Sequence, residues 1–146
     1  EVQVFSGGQN IATKGKATQS STDYDGPPER AIDGNTNGDY NAKSVTHSKQ
    51  SENPWWEVDL SGKDAVDIEQ VALWNRTDGG SQNRMNGVKI VVLDTARGVV
   101  WQQTLAEAPQ TSSKQDLTGA RELACVSGTC EIDLPVNVDK QSIAAV

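Results

Sequence analysis

Apolar residues recur along the chain in short runs, and none carries the i, i+3, i+4, i+7 stripe of a substantial amphipathic helix. The runs predict strands at Val2 to Phe5, Trp55 to Leu60, Ile68 to Trp74, Val88 to Leu93, Val99 to Thr104, Cys130 to Leu134 and Ser142 to Val146. Several alternate with period two. Val88, Ile90 and Val92 point one way, and Cys130, Ile132 and Leu134 oppose Glu131 and Asp133, as strands with one buried face require. Between the runs lie Asp25-Gly26-Pro27-Pro28, Asp33-Gly34-Asn35, Ser61-Gly62 and Asp78-Gly79-Gly80, which are turn chemistry. Pro28 followed by Glu29-Arg30-Ala31-Ile32 predicts a single helical turn. The class is all-β, a sandwich or a barrel.

Length and charge narrow the picture. A chain of 146 residues suits one domain, taken as 1–146. Its net charge of −7 removes the broad attraction to phosphate backbones or anionic lipid that a basic surface provides, so nucleic acid is not an expected partner. Mean hydropathy is −0.57 and no apolar run approaches the roughly 20 residues of a membrane-spanning helix, so no membrane insertion is expected. No charged-then-apolar leader precedes Glu1, and any export signal is expected to have been removed.

Cys125 and Cys130 flank Val-Ser-Gly-Thr, a connection that suits a tight hairpin with its ends in disulfide reach. A bridge is expected, with free thiols as the alternative, and it implies an oxidising, secreted setting. With one His and no further Cys, a zinc shell cannot be completed. Glu1-Val2-Gln3-Val4-Phe5 and Ser142-Ile143-Ala144-Ala145-Val146 look like two parts of one strand, as in one unit of a tandem array. Two unrelated edge strands are the other reading.

Two polar constellations carry the candidate chemistry. His47 stands in Ser44-Val45-Thr46-His47-Ser48, just before Asn53-Pro54-Trp55-Trp56-Glu57-Val58-Asp59-Leu60. Asn75-Arg76-Thr77-Asp78 follows the strand ending at Trp74 and, after a Gly-rich loop, leads to Asn83-Arg84-Met85-Asn86. A guanidinium offers donors in a rigid fork to neighbouring hydroxyls, and a carboxylate two residues away can fix its rotamer. Together with an imidazole, these groups suit the vicinal hydroxyls of a sugar. Trp55, Trp56, Trp74 and Trp101 offer sugar-stacking platforms as one reading, but all fall within predicted strands, and core packing is assigned to most of them. The sequon at Asn75-Arg76-Thr77 would place any glycan against this site. Hydrolysis would need a paired acid and base or an activated nucleophile, and no pattern signals either, so no enzyme is expected.

These residues resemble the F-type lectins, fucose-binding relatives of the discoidin or coagulation-factor type C domains. The markers are Asn10-Ile11-Ala12, Ala17-Thr18-Gln19-Ser20-Ser21, Arg30-Ala31-Ile32-Asp33-Gly34-Asn35, Thr46-His47, the stretch from Asn53 to Leu60, and Asn75-Arg76-Thr77-Asp78 with Arg84. The resemblance implies an eight-stranded jelly-roll sandwich whose loop end holds α-L-fucose. His47, Arg76 and Arg84 would donate to its ring oxygen and its O3 and O4 hydroxyls, with Asp78 orienting the arginines. Tyr24, in the first long loop, is the candidate for its methyl group. Fucosylated glycans are the implied partners, bound with added avidity where several copies act together. A discoidin-like adhesion module binding protein, or a galactose-type glycan, is the alternative.

The family also implies a structural calcium, Ca2+, held here by the Arg30 and Asn35 carbonyls, the Asp33 side chain and Ser44. Where its last strand offers a Glu this chain has Ala145, and Glu1 is the expected substitute if its segment pairs at the C-terminal edge. Gly79 and Gly80 replace the paired cysteines of many members, and the loop from Gly79 to Asn83 is one residue longer. Altered sugar preference is expected there.

Overall fold

A strand can bury one face only where a second layer covers it, and the alternation of this sequence is met by two antiparallel sheets packed face to face. The structure is a computed structural model, and it describes residues 1–60, 66–117 and the backbone of 142–145. Its strands are β1 (Val2–Ser6), β2 (Gln9–Asn10), β3 (Lys16–Gln19), β4 (Trp56–Asp59), β5 (Gln70–Trp74), β6 (Lys89–Leu93), β7 (Val99–Thr104), β8 (Ser112–Asp116) and β9 (Ser142–Ala145). One sheet runs β2-β1-β5-β8 and the other β3-β4-β9-β6-β7. Counting the two-residue β2, the described residues form nine strands, one more than the eight expected. Cys125, Cys130 and the strand expected at Cys130 to Leu134 lie outside the described residues.

Val4 and Val71 of one sheet and Val58, Ile90 and Val92 of the other are wholly inaccessible, and with Leu73, Ala17 and Trp56 they make up the centre of the core. The period-two pattern of β6 thus faces its Ile90 and Val92 inward as read. Val91 and Leu93 are buried as well, so this strand is covered on both faces. Three strands escaped the sequence, the two-residue β2 and the longer β3 and β8. Both β3, Lys-Ala-Thr-Gln, and β8, Ser-Ser-Lys-Gln-Asp, are too polar to register as apolar runs. They are strands because they pair: β3 along β4, and β8 along β5 from Gln70 opposite Asp116 to Trp74 opposite Ser112.

The two termini lie in different sheets, β1 between β2 and β5 and β9 between β4 and β6. Resemblance of their sequences therefore does not make them partners in one strand. Glu1 extends the β1–β5 ladder by a step: its carbonyl accepts from the Trp74 amide at 2.7 Å, and its own nitrogen donates to the Trp74 carbonyl at 3.1 Å. This carries Glu1 to the end of β5 from which Asn75 and Arg76 depart. The expected turn after Pro27 is a 3-10 turn, Pro28–Ala31, whose Ala31 and following Ile32 are buried. Trp56 pins it by donating from Nε1 to the Pro28 carbonyl at 2.9 Å. Among the described residues, no helix is long and apolar enough to cross a membrane.

Ile90 is the largest wholly buried side chain. Ile90→Ala is expected to lower stability by about 3 kcal/mol through lost transfer energy and the cavity left behind. Urea titration of both proteins should show this as an earlier midpoint with an unchanged slope.

Candidate functional site

The site is built by three loops at one end of the sandwich. In the first, the backbone of His47 is clamped on both sides: its carbonyl accepts from the Asp23 amide and its amide donates to the Gly26 carbonyl, each at 2.9 Å. The chains approach so closely that a Cβ on Gly26 would sit 2.6 Å from the His47 nitrogen and 2.7 Å from its Cβ, so glycine is required there. Gln19 ties the junction from below, donating from Nε2 to Thr22 Oγ1 at 2.8 Å and to the Gly26 carbonyl at 3.1 Å. Tyr24 and Asp25 cross the loop tip at left-handed φ values of 46° and 50°. Tyr24, 66% exposed, sets its ring edge-on to His47 with centroids 4.8 Å apart.

The imidazole is oriented by its own neighbour. Nδ1 lies 2.8 Å from the Ser48 carbonyl, which only accepts, so Nδ1 carries the hydrogen and Nε2 of the neutral ring is an acceptor. Arg84 Nη1 donates toward that Nε2 at 3.4 Å.

The second loop runs from Asp33 to Ser44 and places an Asx residue at 33, 35, 37, 39 and 41. Each of the first four accepts on its side-chain oxygen from the amide two residues ahead, at 2.8 to 3.1 Å, making a chain of Asx turns that ends in the 3-10 turn Tyr40–Ala42. The product is a fixed Tyr40. Its amide donates to Asp78 Oδ1 at 3.1 Å, its hydroxyl donates to the Tyr24 carbonyl, and its ring lies 4.8 Å beneath the Arg76 guanidinium. Sequence reasoning missed Tyr40. The spacing of the Asx residues is the signal that could have found it.

The third loop carries the arginines. Asp78 grips Arg76 through two bonds, Nε to Oδ1 at 2.6 Å and Nη2 to Oδ2 at 2.7 Å. The bidentate pair drops the Asp78 pKa to about 2 and raises that of Arg76, with Arg76's hydrogen bonds the main cause for Asp78. A lowered carboxylate pKa means the contact is fully formed above the ordinary Asp range and fails only as pH falls through about 2. Asp78 orients Arg76 alone; Arg84, on the 3-10 turn Gln82–Met85, takes its position beside His47 instead. Asn75 explains how the two ends of this loop stay together. It is 5% exposed, and its Nδ2 donates to the Gln82 carbonyl at 3.0 Å and the Pro109 carbonyl at 2.8 Å. The sequon's amide is therefore a structural bolt inside the protein.

The structure thus brings Arg84 and Tyr24 each against His47, and joins Arg76 and Asp78 to them through Tyr40. The calcium candidates Arg30, Asp33, Asn35 and Ser44 all lie on or beside the second loop, whose ends Asn35 ties by donating from Nδ2 to the Ala42 carbonyl at 3.3 Å. Ser44 is buried and donates to the carbonyls of Asn37 and Asp39. Glu1 arrives there too, through pairing of its segment with β5 rather than at the C-terminal edge. Its Oε1 accepts from the Gly34 amide at 3.1 Å, and its Oε2 is buried without a partner. Burial, with Asp33 adding its charge, pushes the Glu1 carboxyl up to about 7. Among the described residues, no group of three or more His, Cys, Asp and Glu side chains gathers as a metal centre, so a cation here would depend on carbonyls.

Comparison with known proteins bears on this geometry. Residues 30–130 match a family model of the F5/F8 type C group described as a NedA-like, galactose-binding domain. Fucolectin-1 of Anguilla japonica is 37% identical over 89 residues, which are 58% of this chain and 48% of that protein. The chain spans about half the length of the curated fucolectins it matches. A fucose binding module of Streptococcus pneumoniae superposes with a TM-score of 0.72 at 31% identity, covering 97% of this chain and 87% of that one. The lectin domain of lectinolysin, solved with Lewis B antigen, gives 0.73 at 28% identity, with 94% and 85% covered.

His47 is the chain's only histidine, so its imidazole gives a single set of ring resonances. Gly26→Ala is expected to push His47 away, shifting those resonances and costing about 1–3 kcal/mol in stability as an overpacking change. NMR and chemical denaturation of the variant check both; an unmoved imidazole would contradict the close approach.

Proposed function

The chain belongs to the F-type lectins of the F5/F8 type C, galactose-binding-domain group, a family of non-enzymatic binding domains, and from that membership we propose that it binds terminal α-L-fucose on glycans through His47, Arg76 and Arg84. The reading rests above all on the fixed, unequal polarity of these three groups. Arg76 is locked by Asp78 over Tyr40 yet keeps N–H groups that Asp78 does not use. Arg84 is exposed beside His47, and His47 presents an acceptor. A hydroxyl can donate to His47 Nε2 while accepting from a guanidinium, so an axial O4 hydroxyl with its O3 neighbour suits the set better than isolated donors or acceptors would. Tyr24, exposed at the rim, offers its ring to the methyl group. An epimer with that hydroxyl turned away would leave polar groups unmatched, a loss of about 1–3 kcal/mol. Relatives named for fucose binding, and one solved with Lewis B antigen, support the choice of sugar. Secretion, and action in several copies where avidity is needed, belong to the same proposal.

A calcium ion beside this site is a second part of the proposal. The donor set fits a hard cation: the Asp33 carboxylate, the Arg30 and Asn35 carbonyls, Ser44, and the unpartnered Oε2 of Glu1 in place of the side chain that Ala145 lacks. Bound there, the ion would neutralise Glu1 and Asp33 and brace the loop that carries Tyr40.

A glycan array probed with wild type and His47→Ala tests the sugar site. Fucosylated hits are expected from wild type and at least tenfold weaker signals from the variant; an array without fucosylated hits, or an unchanged variant, sinks the assignment. Thermal melting tests the ion. Calcium should raise the wild-type midpoint by several degrees over its value in chelator, and Glu1→Gln should abolish most of that shift. A midpoint indifferent to calcium disposes of the ion.

A further inference from the structure

Beside Arg84 lies a groove, not lined by Arg76, that the fucose reading leaves unused. It encloses about 380 Å³, and its walls include Gln19, Thr46, Trp55, Arg84, Met85 and Val88. The two neighbouring tryptophans of the Trp55-Trp56 pair have opposite fates. Trp56 is 8% exposed, with its indole nitrogen bonded to the Pro28 carbonyl, whereas Trp55 stands just ahead of β4, 39% exposed and facing the groove. Of the two readings of these rings, core packing holds for Trp56, and Trp55 is the one left open to solvent. Leaving an indole this open forgoes burial of a large apolar surface.

The groove is continuous with the proposed sugar site. Arg84 belongs to both, lining the groove while Nη1 reaches His47 Nε2, and Thr46 and Ser48, the residues on either side of His47, line it as well. Its composition is also that of a sugar subsite: an aromatic plate with apolar Met85 and Val88, together with the polar Gln19, Thr46 and Asn86. A pyranose has the matching pair of surfaces, an apolar C–H face and a rim of hydroxyls. We propose that this groove is an extension subsite, in which the sugar next to the terminal fucose lays its C–H face on Trp55. The proposal rests on the fucose reading of the neighbouring site.

Calorimetry with two probes separates the two. Methyl α-L-fucoside occupies the terminal site alone, and a trisaccharide of fucose linked to galactose and N-acetylglucosamine reaches the groove. Wild type is expected to bind the trisaccharide about tenfold more tightly, and Trp55→Ala to lose that gain while binding the methyl fucoside as before. Equal affinity of wild type for both probes, or a trisaccharide gain that survives in Trp55→Ala, overturns the subsite. So does an equal loss for both probes. Failure of wild type to bind either probe overturns the fucose reading itself. Saturation-transfer NMR on wild type provides a check that needs no variant: transfer to the ring protons of the penultimate sugar supports the groove, and transfer confined to fucose refutes it.

Discussion

Two guanidinium groups and an imidazole can share one small surface only if something other than a ligand holds each in place, and the Asp78 carboxylate meets the larger part of that requirement. Its oxygens take Nε and Nη2 of Arg76 while Oδ1 also takes the Tyr40 amide. One carboxylate thereby fixes a side chain on its own loop and the backbone of another. Tyr40 passes the constraint on, stacking beneath Arg76 and reaching the Tyr24 carbonyl. Arg84 needs no share of this charge, because the neutral face of His47 gives it a partner. The site is thus a network of three loops with a single anionic hub.

The sandwich supports the network from below. β5 ends at Trp74, and the next residue, Asn75, is buried and bonds the Gln82 and Pro109 carbonyls, so the arginine loop starts and finishes on fixed points. On the other side, β4 enters behind Trp55 with Trp56 in the core, and the His47 loop is tied to Gln19 at the end of β3. Loops at the end of a rigid scaffold are where binding residues are generally found. Here the side-chain amides of the loop roots, buried Asn75 and half-buried Gln19, give the rigidity rather than the loop tips.

Much of this was legible in the sequence, for definable reasons. Strands that carry a short apolar run, alternating or continuous, announce themselves, so β1, β4, β5, β6 and β7 were found within a residue or two. Strands such as β8 carry no apolar run, and only their hydrogen-bonding partners make them strands. At the candidate site, His47, Arg76, Asp78 and Arg84 stood out by residue type and order, and Tyr24 came from the family resemblance. What could not be read was relation: that Asp78 serves Arg76 and leaves Arg84 to His47, that His47 presents an acceptor, and that Tyr40 joins the loops. Which tryptophan stays outside the core could not be read either, because a tryptophan beside a strand looks the same in sequence whichever way its ring turns.

The left-handed step at Tyr24 and Asp25 has a consequence for time as well as for shape. Such backbone costs on the order of 1–3 kcal/mol per residue, and it is held here by bonds at both Tyr24 backbone groups: the amide donates to Asp23 Oδ1 and the carbonyl accepts from the Tyr40 hydroxyl. Those bonds are internal to the protein, so the strained loop tip is in place before a ligand arrives. Capture then waits on no loop rearrangement and proceeds at a rate set by encounter and orientation. Discrimination between one glycan and another falls on how long each stays.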